Sequence, residues 1–104
     1  MQAVHILIEG VVQGVGFRPF VHNLAVSLGV SGSVRNRGPL VEIEAEADGR
    51  ALAAFERALR EQAPPHSRIT ALHAEELEPA GRSGFSIGPS APAPGRAEVS
   101  PDLA

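Results

Sequence analysis

The stretch GVVQGVGFRPF, Gly10 to Phe20, joins an apolar run with strand character (Ala3 to Glu9) to a segment with helical periodicity (Phe20 to Leu28). In the run before it, Val4, Ile6 and Ile8 alternate with His5, Leu7 and Glu9, the pattern of a strand with one strongly apolar face. In the segment after it, Phe20, Leu24 and Leu28 recur every fourth residue with Val21 and Ala25 beside them. That is an apolar helical stripe; Pro19 is acceptable in a first turn, and Gly29 marks the stop. The stretch is therefore a strand-to-helix turn holding Gly14 and Gly16. Such a turn can aim several backbone N–H groups at one point, and the helix dipole adds positive potential there, which suits an anion such as phosphate. Arg18, at the helix start, carries a guanidinium fork able to grip two oxygens. The plain alternative is a tight connection whose glycines serve geometry and whose arginine faces water. The turn alone does not choose between them.

Two better-known phosphate motifs are excluded. A dinucleotide fingerprint needs a third glycine three residues after Gly16, where this chain has Pro19, and 104 residues are too few for a doubly wound dinucleotide domain. A P-loop needs Gly-Lys followed by Ser or Thr, a run the chain lacks.

Outward from the turn, Val30 to Arg37 is weakly strand-like and Arg37-Gly38-Pro39 reads as a turn. Leu40 to Ala47 is the clearest strand: Val41, Ile43, Ala45 and Ala47 point one way, Glu42, Glu44 and Glu46 the other. The three glutamates are expected to form the solvated face of a half-buried strand. Asp48 is placed to cap a helix in which Leu52, Phe55 and Leu59 share a face, and Pro64-Pro65 ends it. Arg68 to Glu78 reads as extended, Gly81 to Gly84 as a turn, and Phe85-Ser86-Ile87 as a possible short strand. The order β-α-β-β-α-β implies an α+β, ferredoxin-like sandwich, an antiparallel sheet with two helices on one face. Residues 1–90 make this domain; residues 91–104, within the run GPSAPAPG that begins at Gly88 and beyond it, have Pro/Ala-rich linker composition.

Bulk composition narrows the function. A formal net charge of −3 gives no electrostatic case for nucleic acid or an anionic membrane surface. No cysteine is present, which removes disulfide and thiol chemistry and favours a cytoplasmic setting. The four histidines, His5, His22, His66 and His73, have no ligand spacing, so no metal site is expected. No apolar run reaches the roughly 20 residues that span a bilayer.

Topology sharpens the anion reading. In a split β-α-β unit the first and second strands run parallel with the third between them, so both end at one edge of the sheet. The turn Gln13 to Arg18 leaves the first strand there, and Asn36 ends the second strand there. An arginine, a row of backbone amides and a carboxamide thus converge. A carboxamide can hold a water in line with a bound phosphorus. Asn36 alone is equally a common residue before a turn. Arg35 and Arg37, flanking Asn36, are expected to add positive potential at most, and His66 and Ser67 to lie in a surface loop near the same edge.

The run VQGVGFR with Asn36 downstream resembles the acylphosphatase signature, and the longer GVVQGVGFRPFVHNLAVSLGVSGSVRN resembles the N-terminal domains of HypF carbamoyltransferases. Pro19-Phe20 and the run PPHSRI (Pro64 to Ile69) are typical of that branch, and Gly16 departs from the bulkier residue of many stand-alone acylphosphatases. The resemblance implies Arg18 as phosphate-binding and Asn36 as water-positioning residue, with the backbone amides of Gln13, Gly14, Val15, Gly16, Phe17 and Arg18 completing the cradle. It implies an acyl phosphate substrate, carbamoyl phosphate in the HypF setting, with inorganic phosphate as product. It further implies a larger parent protein that uses zinc and ATP elsewhere and passes a carbamoyl group to HypE in NiFe-hydrogenase maturation; Ser100 to Ala104 resemble the lead into its zinc module. No cofactor is expected in this domain. The competing reading is a module that binds carbamoyl phosphate or docks a partner with little turnover. An RNA-binding domain of the same strand order is disfavoured, because it needs base-stacking aromatics where this chain has outward glutamates.

Overall fold

The computed structural model describes residues 1–92. Five strands and two helices follow in the order β1 (Gln2–Val11), α1 (Phe17–Leu28), β2 (Ser31–Arg37), β3 (Leu40–Ala47), α2 (Gly49–Glu61), β4 (Arg68–Leu77) and β5 (Phe85–Ile87). The strands form one sheet in the order β4-β1-β3-β2-β5. β1 and β2 both pair antiparallel with β3, so they run parallel to each other and end at the same edge. β4 pairs antiparallel with β1, and Arg68 lies opposite Val11, which brings the start of β4 to that edge as well. The arrangement is the expected α+β, ferredoxin-like one, with a single departure. β5 exists and pairs parallel with β2, so the sheet is mixed rather than wholly antiparallel.

The core follows from the sequence periods. Ile6 and Ile8 of β1, Val34 of β2, and Val41 and Ile43 of β3 form the sheet's contribution. Phe17, Val21 and Ala25 of α1 and Leu52, Phe55 and Leu59 of α2 close over them, all buried. α2 starts where expected: the Asp48 carboxylate accepts from the Ala51 N–H at 2.8 Å, a cap that contributes about 1 kcal/mol. α1 starts three residues earlier than its apolar period suggests. Gly16, at φ 78°, serves as its N-cap, and the Phe20 N–H donates to the Gly16 carbonyl at 3.2 Å. Pro19 then occupies the third helical position, where its missing N–H costs nothing.

The other face of the sheet corrects the reading of β3. Glu42 and Glu46 are buried, only 5% and 4% exposed, rather than solvated. Period-2 alternation does place them opposite the core, but two covers lie over that face. His5, Arg35 and Arg37 converge on Glu42, each at 2.6 Å. The chain leaving β4 crosses Glu46, which accepts from the backbone N–H of Ala80 at 2.9 Å and of Gly81 at 3.1 Å and from the Arg82 guanidinium at 2.8 Å. Glu44 remains the most open of the three, with Arg82 at 3.5 Å.

Candidate functional site

The turn between β1 and α1 has the cradle shape that its glycines allow. Gly14 and Gly16 have φ 74° and 78°, left-handed values that aim successive N–H groups outward together. Val12 and Phe17, 2% and 1% exposed, pin the turn to the core from both sides. Phe17 therefore faces inward with its ring and contributes only backbone to the cradle. Among the described residues, the N–H groups of Gly14 through Arg18 have no protein acceptor. Arg18 is the second residue of α1, half-buried, and forms no ion pair with a carboxylate among the described residues. A guanidinium and several unspent amides at a helix N-terminus are the groups from which an oxyanion site is built.

Asn36 sits two residues after the fully buried Val34, opposite Val41, and so points to the helix-covered side of the sheet. Its Oδ1 is buried and has no hydrogen-bond partner among the described residues. A buried carbonyl oxygen left without a donor costs about 1–3 kcal/mol, so this atom is open to a donor. The cradle and the end of β2 are tied directly. Gln13 Nε2 donates to the Gly38 carbonyl at 2.7 Å and to the Leu40 carbonyl at 3.3 Å. Gln13 thus has a second task that sequence reasoning missed: its side chain clamps the cradle to the turn just beyond Asn36. A glutamine beside the glycines was the available signal, but its partners, backbone carbonyls 25 and 27 residues away, have no sequence pattern.

Arg35 and Arg37 do not join this site. They alternate with Asn36 along β2 and so point to the opposite face, where Glu42 engages both. Burial alone would raise the Glu42 pKa; hydrogen bonds from His5, Arg35 and Arg37 outweigh it and hold the carboxyl at about 2. Backbone donation from Ala80, then the Arg82 guanidinium, likewise holds Glu46 at about 2. The potential at the cradle therefore comes from Arg18 and the amides. His66 and Ser67 lie in the loop before β4; His66 is exposed, and the Ser67 hydroxyl donates to the Pro64 carbonyl at 2.6 Å. Among the described residues no group of three or more His, Cys, Asp or Glu could hold a metal ion. No described helix is long and apolar enough to cross a membrane. Residues 93–104, which include most of the expected linker, lie outside the described residues.

Comparison with known proteins matches the acylphosphatase family model over residues 4–87. The acylphosphatase of Treponema denticola is 43% identical over 88 residues, covering 84% of this chain and 93% of that protein. The carbamoyltransferase HypF of Synechocystis is 39% identical over 103 residues, covering 99% of this chain but only 13% of that protein. A solved full-length HypF, in its phosphate- and nucleotide-bound form, superposes with a TM-score of 0.86 at 38% identity, over 90% of this chain and 12% of that one.

Proposed function

Because this chain belongs to the acylphosphatase family, we propose that it binds an acyl phosphate and hydrolyses it to a carboxylate or carbamate and inorganic phosphate. The phosphoryl oxygens rest on the N–H groups of Gln13 through Arg18, and the Arg18 fork holds two of them. Asn36 Oδ1 accepts a hydrogen bond from a water held in line with the bond from phosphorus to the acyl oxygen. The water oxygen bonds to phosphorus, the bond from phosphorus to the acyl oxygen breaks, and the carboxylate leaves with the electron pair. The chain places no histidine or carboxylate among these residues, so a phosphoryl oxygen of the substrate takes the water's proton. An acyl phosphate already has a good leaving group, and positioning with charge stabilisation suffices to lower its barrier.

The observation that carries this reading is the buried, unpartnered Asn36 Oδ1 at the edge where Gln13 fastens the cradle. A relative crystallised with phosphate is consistent with the anion assignment. Within a HypF-like parent the substrate is carbamoyl phosphate, zinc and ATP serve other parts of that protein, and HypE is the carbamoyl acceptor. The test is hydrolysis of acetyl phosphate and carbamoyl phosphate by the wild type and by Asn36→Ala. We expect kcat to fall about 100-fold in the variant, with inorganic phosphate binding changed no more than a few-fold. Wild-type turnover equal to the uncatalysed background, with phosphate still bound, would instead make this a binding module.

A further inference from the structure

We infer that the segment leaving β5, Gly88 to Ala91, is a positioning strap for Asn36, with the Ala91 N–H as the group that fixes it; this rests on the reading of Asn36 proposed above. The GPSAP composition reads as linker, yet the segment continues the β2 ladder. Gly88 N–H donates to Val34 O at 2.8 Å, Ala91 N–H to Asn36 O at 2.9 Å, and Gly38 N–H back to Ala91 O at 2.8 Å. These bonds lie on the side of β2 away from β3, since the backbone groups of residues 32, 34 and 36 turn toward β5. The Asn36 carbonyl is therefore tied to protein through Ala91. From Gly88 to Ala91 the segment advances three residues while β2 advances two, so it bows outward beside Asn36 and rejoins the ladder at Ala91, as a bulge does.

Gly38 links this strap to the cradle. Its N–H donates to Ala91, and its carbonyl accepts from Gln13 Nε2 at 2.7 Å. The peptides that follow Asn36 are thereby held, that of its own carbonyl by the strap and those on either side of Gly38 by the strap and by Gln13. The strap donates nothing to the cradle itself, and Gln13 keeps its second bond, to the Leu40 carbonyl at 3.3 Å, so loosening the strap moves the water-holding carboxamide while the anion site stays anchored. Misplacement of a reacting group by about 1 Å costs up to 100-fold in rate.

The experiment compares wild type, Ala91→Pro, Ala91→Gly and a chain ended after Ser90. Acetyl phosphate kcat and KM, inorganic phosphate inhibition and the melting temperature are measured for each. Ala91→Pro lacks the N–H, and the shortened chain lacks the residue; both should lose about tenfold in kcat with phosphate inhibition within twofold and melting close to wild type. Ala91→Gly keeps the N–H and should retain wild-type kcat. Unchanged kcat in the two folded variants overturns the inference. So does a parallel loss of kcat, phosphate affinity and melting temperature, which would mark a merely structural tie. Absence of wild-type hydrolysis would overturn the hydrolase reading itself, a separate result.

Discussion

At the scale of single residues, three arginines divide between two opposite fates. Arg18 has no carboxylate partner among the described residues, whereas Arg35 and Arg37 are committed to Glu42. A charge-assisted hydrogen bond contributes about 1.5–3 kcal/mol, and lysine cannot reproduce the planar fork. Arg18→Ala and Arg18→Lys should both weaken inorganic phosphate binding at least tenfold by calorimetry, while their melting temperatures stay near wild type. Glu42 makes the complementary prediction. Its folded pKa, about 2, lies below the ordinary 4.5, so its stabilisation is present above about pH 4.5 and drains away as pH falls toward 2. Glu42→Gln should cost about 2 kcal/mol at neutral pH, discounted from the full linkage value because its arginine partners are part-exposed. It should also reduce the acid-induced loss of stability between pH 4.5 and 2 without abolishing it, since Glu46 titrates over the same window. A denaturant series at four or five pH values measures both effects.

At the scale of elements, the turn and the strands show what a sequence can and cannot carry. That the turn Gln13 to Arg18 and Asn36 meet at one edge was legible, because strand and helix periods put the ends of β1 and β2 there. The burial of Glu42 and Glu46 was not. Alternation says which way a side chain points, not what covers it, and the covers come from β2 and from residues 80–82. The strap was hidden for a related reason: backbone hydrogen bonding at Gly88 and Ala91 leaves no side-chain pattern. The apolar period of α1 begins only at Phe20, but Arg18 and Pro19 fall in its first turn as expected, and that turn is capped by Gly16 rather than by a polar side chain. Two glycines test the element-level account. A Cβ on Gly32 would meet the Glu44 carbonyl oxygen at 1.8 Å, at φ +140°, whereas one on Gly16 would meet nothing within 4 Å. Gly32→Ala should therefore destabilise by about 3 kcal/mol, and Gly16→Ala by only the left-handed backbone cost of about 1–2 kcal/mol. Similar losses in both would contradict this reading of the sheet.

At the scale of the whole molecule, the proposed chemistry uses no group that titrates near neutrality. Arginine stays protonated, and asparagine has no ionisable proton. We expect kcat/KM for acetyl phosphate, corrected for the substrate's ionisation, to be flat between about pH 5 and 8. His66 stands in the loop preceding β4, near the same edge, and is the histidine to exclude. An inflection near neutrality that vanishes in His66→Ala would replace the substrate-assisted proton transfer with a general base.

The strap also brings the last described part of the chain, at Ala91, beside β2. β1 begins at Gln2 and runs ten residues, about 33 Å, before it reaches the cradle. The path from β5, by contrast, rejoins β2 beside Asn36 and Gly38 at Ala91. Anything joined upstream is carried at the far end of the molecule, away from the anion. Anything fused directly after Ala91 would begin beside Asn36. A bulky fusion should be tolerated at the first position and should hinder substrate entry at the second. The two ends of this domain are not interchangeable points of attachment.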